Sequence, residues 1–194
     1  LKPQILVKLS KDKTILEILK FIFPQLKYFD IFSKLTPVSK KMLKEIDFIT
    51  IVSLLVIDGT DNTDYFLYKF NLSKKEEKRI KNINNFFKNR TNSKTFTEKN
   101  LNIIFYHSGK EAVIDILNYR IFKTNKSIDS LIELKVKFKS KLVPIMPFKG
   151  DFLMSKFNIP EGKILGEKLK LIESVWIENN FKISEKQIEN IINN

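Results

Sequence analysis

Cysteine is absent from this 194-residue chain and histidine occurs once, at His107. Disulfides are therefore excluded, and zinc or copper sites built on Cys/His clusters have no ligands. Glycine is scarce: Gly59, Gly109, Gly150, Gly162 and Gly166 never fall into the spacing of a P-loop or a dinucleotide-binding turn, so neither phosphate loop is present. Arginine is scarcer still. Only Arg79, Arg90 and Arg120 occur among 35 basic residues, and 35 minus 3 leaves 32 lysines. Arginine suits bidentate contacts with bases and phosphates, so a lysine-dominated surface fits general phosphate attraction better than sequence readout. Long apolar runs are missing too. The longest, Phe48 to Ile57, is broken by Thr50 and Ser53 and is too short to span a bilayer, and the opening LKPQILVKLSKDK lacks the apolar core of a signal peptide. These absences lead us to expect no membrane association and a cytoplasmic location.

What is present is positive charge and apolar residues at helical spacing. The formal charge of +13 and pI near 9.7 point towards phosphate-rich partners, held by lysines with counterion release. The accompanying Ile, Asn and Phe are also what an AT-rich coding sequence produces, so part of the charge can be compositional. A hydrophobic content of 43% with 17 Phe is enough for a real core and excludes a disordered tail.

Periodicity is helical almost throughout, with no alternating hairpin and no repeat of fixed period, and the expected fold is all-α: an irregular bundle of about nine short helices. Ile15, Ile18, Leu19 and Ile22 form a stripe ending before Pro24, and Phe29 to Leu35 reads as a short turn or helix stopped by Pro37. Lys40 to Ile57 reads as one helix, nearly all apolar from Phe48 and ended by Asp58-Gly59. Tyr65 to Phe70 marks another helical piece. Ser73-Lys74-Lys75-Glu76 is a capping box that starts a helix through Arg79, Ile80 and Ile83. Asn82 to Thr97, rich in Asn, Thr and Ser, reads as a long loop or weakly helical join dividing two subdomains. Leu101 to His107 is helical again, Gly109 ends it, Lys110 to Phe122 forms the next helix, and Ser127 caps a helix to about Ser140.

Catalytic and metal-binding patterns are weak. Asp58, Asp61 and Asp64 in DGTDNTD match neither an EF-hand loop nor an Asp-x-Asp metal pair, and a solvated turn is the better reading. His107-Ser108 is a poor nucleophile and base pair, because neighbours in sequence seldom face one another. We therefore expect no catalytic residue and no metal ligand in this chain.

The segment Leu142 to Phe181 carries the most unusual chemistry. Pro144 and Pro147 stiffen Leu142 to Phe148 into an extended connector. Asp151 is placed to cap a short helix entered through Gly150, and a second helix is expected from Pro160 to about Asn179, with Leu165, Leu169, Ile172 and Trp176 on one face. Gly166 inside that helix suggests that another backbone approaches closely there.

Lys149-Gly150-Asp151-x-Leu153-Met154, then Pro160-x-Gly162-x-x-x-Gly166, Leu169, Trp176-Ile177 and Phe181, resembles the closing signature of bacterial tRNA nucleotidyltransferases and poly(A) polymerases. Leu72-Ser73 to Ile80 is similar to the Leu-Ser-x-x-Glu turn in the body of the same family. The resemblance is strongest over Leu142 to Phe181 and fainter over Asp47 to Ile121. It implies a truncated protein: 1–90 as neck end and body helices, 91–141 as body helices, 142–194 as the tail. The family's head domain, with its Gly-Ser motif and metal-binding carboxylate pair, and the nucleotide-selecting Glu-Asp-x-x-Arg motif of its neck have no counterpart here. The implied function is that of the RNA-binding C-terminal portion of such an enzyme, inactive alone, with tRNA or another RNA as partner and a head supplied either by a separately encoded chain or by an N-terminal portion outside this sequence. No cofactor is expected on this chain, since magnesium and nucleotide go with the head. RNA contacts implied by the resemblance are Lys74, Lys75, Arg79, Lys149, Gly150 and Lys163. A stand-alone helical RNA-binding or interaction protein, or a decayed remnant without activity, are the alternatives.

Overall fold

The computed structural model describes residues 3–88, 96–124 and 127–193. Among these the secondary structure is entirely helical, as expected for an all-α bundle, with eleven α-helices and one 3-10 helix in place of about nine. The chain divides into two compact units: Leu1–Ser93 with Glu111–Lys139, and Lys94–Lys110 with Ser140–Asn194.

In the first unit, α1 (Pro3–Leu9) and α2 (Lys13–Ile22) lead into the 3-10 helix η1 (Phe29–Ser33), then α3 (Pro37–Met42), α4 (Phe48–Val56), α5 (Asn62–Lys69) and α6 (Lys74–Lys88). The expected continuous helix from Lys40 to Ile57 is two helices. Leu43 ends the first, and Asp47 starts the second by accepting from Thr50 N at 3.0 Å, an N-cap that the apolar pattern conceals. Every residue of α4 from Ile49 to Val56 is buried, and the helix packs against α5 and α6. The capping box at Ser73 forms as expected: Ser73 N donates to Glu76 Oε2 at 2.9 Å and Glu76 N to Ser73 Oγ at 3.3 Å. Helix α6 continues to Lys88, so the join expected from Asn82 is helical in its first part; residues 89–95 of it lie outside the described residues. The stripe on α2 forms a helix but buries none of its residues, and Phe21 beside it is 89% exposed. Helical spacing reports a face, not what covers it.

Helix α7 (Glu98–Lys123) is broken at Gly109, as expected, and the unit boundary falls beside this break. Gly109 has φ 82° and ψ 176°, a region open essentially to glycine alone. Helix α8 (Asp129–Ser140) completes the first unit, with Ser127 Oγ bonded to Asp129 at its start.

The second unit contains the Lys94–Lys110 stretch, α9 (Gly150–Phe157), α10 (Lys163–Glu178) and α11 (Glu185–Asn193), a helix that sequence reading had left out. Its own capping box, Ser184 with Gln187, repeats the geometry at Ser73. Leu153, Ile159, Leu165, Ile172 and Ile188 form the apolar centre. Helix α10 closes with a left-handed Asn180 (φ 56°), and Phe181 N bonds back to Trp176 O at 2.8 Å while its ring meets Trp176 at 5.0 Å. This is a Schellman ending with its apolar clasp.

Three expectations in this unit are corrected. Asp151 is not a cap: Lys149 holds the N-cap position without a side-chain bond, and Asp151 sits in the first turn, where its charge complements the dipole. Helix α10 begins at Lys163 rather than Pro160, because Gly162 precedes it at φ 143°. The close approach belongs to Gly150, where a Cβ would meet Leu165 Cδ2 at 3.5 Å; at Gly166 it would meet nothing within 4 Å. Two opposite outcomes follow for glycine replacements. Gly166→Ala should raise stability by about 0.5–1 kcal/mol by removing backbone freedom from the unfolded chain, whereas Gly109→Ala should cost about 1–3 kcal/mol through a forced φ. Urea unfolding followed by circular dichroism measures both. A destabilised Gly166→Ala would show that this helix face is occupied.

Candidate nucleic-acid interface

Lysines on helix starts are the raw material of the site, because a long flexible ammonium there reaches solvent without disturbing the packed face. In the second unit, Lys149 is exposed at the start of α9, and Gly150 after it rests on Leu165. Lys163 opens α10 two residues before Leu165; its side chain is 90% exposed and its Nζ lies 3.8 Å from Glu167. The fold thus sets Gly150 against the first turn of α10, with Lys149 and Lys163 at the starts of the two helices. An exposed i,i+4 pair of that length is worth little, so Glu167 does not hold Lys163 back from a stronger anion.

In the first unit, Lys74 and Lys75 are exposed on the first turn of α6, Lys75 at 3.5 Å from Glu111. Arg79, one turn on, stands differently. Its Nε and Nη2 each bond Asp115 at 2.7 Å, Nη2 also lies 2.6 Å from Asp47, and Nη1 lies 3.6 Å from Glu111. Only 15% of its side chain is exposed and 3% of that of Asp115. Burial pushes the Asp115 carboxyl up against the pull of Arg79, and Asp115 in turn holds the guanidinium well above its usual range. Asp47 is pushed up by burial but more strongly down by Thr50 N and Arg79, and it ends below its ordinary value. This guanidinium is paired with carboxylates at the N-cap of α4 and on α7, which ties three elements of one unit. Sequence reading missed Asp115, although a signal was there: an acid inside the apolar run Val113-Ile114-Asp115-Ile116-Leu117 needs a cation.

In the aspartate turn, Asp61 and Asp64 are exposed, as a solvated turn requires, and Asp58 alone is not. Asp58 is only 6% exposed at its side chain, and it accepts from Lys27 Nζ at 2.6 Å and from Thr60 N and Oγ1. Among the described residues no group of His, Asp and Glu has the arrangement of a metal site. His107 is exposed and stands edge-on to Tyr106 at 5.1 Å. Among the described residues no helix is long and apolar enough to cross a membrane.

Compared with known proteins, residues 41–192 match the family model described as tRNA nucleotidyltransferase domain 2, putative. The match spans most of the chain and takes in both lysine groups. No curated protein matches significantly. No solved structure matches either.

Proposed function

The chain belongs to the tRNA nucleotidyltransferase domain 2 family, and from that premise we propose that it is the RNA-binding C-terminal portion of a bacterial-type nucleotidyltransferase or poly(A) polymerase. The observation that carries the reading is the family match, which covers the helices bearing Lys74, Lys75, Lys149 and Lys163. These lysines contact RNA phosphates, and Gly150 lets the backbone lie close beside α10. Arg79 serves the site indirectly by holding the start of α6 through Asp115. Nucleotidyl transfer belongs to a head domain outside this chain, which brings magnesium and nucleotide, so this chain alone is inactive. The division into neck end and body (1–90), body (91–141) and tail (142–194) and a cytoplasmic setting belong to the same proposal.

Fluorescence anisotropy tests it, with tRNA lacking its 3′ CCA titrated across a salt series against a duplex DNA of similar charge. The expected result is tighter binding to tRNA that survives moderate salt. Replacing Lys149 and Lys163 together by Ala, or Lys74 and Lys75 together, should lower affinity about 3–10-fold and flatten the salt slope by roughly one unit per lost phosphate contact. Equal, weak binding to both nucleic acids, lost with salt, would overturn the reading and leave a remnant or an interaction protein. Magnesium-dependent addition of CMP or AMP to tRNA by the pure chain would contradict its inactivity.

A further inference from the structure

The first unit contains a cavity of about 170 Å³ whose lining includes Asp30, Lys34, Thr36, Ser39 and Lys123. It is built by η1, the residues that open α3 and the last turn of α7. None of these residues figures in the lysine groups above.

Two side chains of its lining carry donors without an acceptor among the described residues. Lys123 Nζ lies 3.5 Å from the centre of the Tyr28 ring and 5.6 Å from that of Tyr119, and among the described residues it has neither a hydrogen-bond acceptor nor a carboxylate at ion-pair distance. An ammonium has three donors, and aromatic faces answer its charge but not its N–H groups. Ser39 is 2% exposed. Its Oγ lies 3.0 Å from Thr36 Oγ1, which itself accepts from Ser39 N at 3.1 Å. Whichever hydroxyl donates within that pair, one hydroxyl proton has no acceptor among the described residues. The acid of the cavity, Asp30, is taken up by Lys34 at 2.8 Å. Two cations therefore face one carboxylate. Burial pushes the Lys123 ammonium down to about 8 although Asp30 and Asp58 pull the other way, as expected of a cation short of a negative partner.

We propose that this cavity binds a phosphate group, with Lys123 supplying charge and the Thr36–Ser39 pair a hydroxyl donor. Cavities for larger ligands measure about 300–1,000 Å³, so this one suits a single tetrahedral oxyanion rather than a whole nucleotide. The oxyanion is either free phosphate or a phosphate of a nucleic acid, and the site stands whether or not the lysine groups bind RNA.

Inorganic phosphate titrated into the intact chain at constant ionic strength, with chloride as the balancing anion, tests the site through amide shifts in ¹H–¹⁵N spectra. Saturable shifts at Ser39 and Lys123 are expected. Lys123→Met should weaken phosphate binding by about tenfold or more, and Ser39→Ala by about 3–10-fold, because hydrogen bonds to charged groups are the strong ones. Lys20→Met, which removes an equal charge from α2, should leave the affinity unchanged. Loss of the phosphate shifts on adding tRNA would identify an RNA phosphate as the occupant, and their persistence would identify the free ion. Absence of saturable shifts at Ser39 and Lys123 in the unaltered chain overturns the proposal even if a variant fails to fold, and so does an undiminished affinity in Lys123→Met.

Discussion

Arg79→Met should destabilise the protein by about 3–5 kcal/mol, because it leaves the Asp115 carboxylate buried without its partner. The whole fork is lost at once: two bonds of 2.7 Å to Asp115 and one contact of 2.6 Å to Asp47. Replacing both partners, as in Arg79→Met with Asp115→Leu, should recover much of that loss, since no charge then stays buried. The measurement is urea unfolding followed by circular dichroism at 222 nm, with the double-mutant cycle giving the coupling. A cost below about 1 kcal/mol for Arg79→Met would mean that the guanidinium is solvated and the pairing incidental. The outcome also bears on RNA binding: if Arg79 acts by holding α6, its loss and that of Lys74 and Lys75 should weaken binding in different ways. The lysine changes reduce the salt dependence at unchanged stability. The arginine change lowers stability first.

Trp176→Ala should cost the second unit about 3–5 kcal/mol, the usual loss for a large aromatic side chain in a packed core. Trp176 is the chain's only tryptophan and is 3% exposed. Its ring stands edge-on to Tyr106 at 5.5 Å and to Phe181 at 5.0 Å. The residue also forms one half of the clasp that ends α10, so its removal exposes Phe181, which is held at φ 64°, an unfavourable conformation for a bulky side chain. Trp176→Phe, which keeps an aromatic ring there, should recover more than half of the loss. Circular dichroism is again the probe, since the variants have no indole fluorescence. An unchanged unfolding midpoint in Trp176→Ala would show that the aromatic cluster is not what closes this helix.

Local chemistry was the legible part. The capping box at Ser73 and the break at Gly109 depend on residues adjacent in sequence, and both were read correctly. The errors arose where a distant residue decides. At Gly166 the helical pattern suggested a close neighbour, but the residue that meets α10 is Gly150, and only the fold brings it there. On α2 the apolar stripe forms a helical face as its spacing predicts, but none of its residues is buried, which spacing could not tell. The partner of Arg79, Asp115, lies 36 residues away, and only the fold brings the two together.

By itself, the sequence determined the helical class, the lysine-rich character and the resemblance at Leu142 to Phe181, because these rest on periodicity, composition and short-range motifs. The tertiary structure alone decided which charges are free and which are spent. It separated Lys149 and Lys163, left in solvent, from Arg79, and it assembled the donors around Lys123 and Ser39 from segments far apart in the chain. The reason is physical: the energy of a charge depends on its nearest partners and on its exclusion from water, and both are properties of three-dimensional packing.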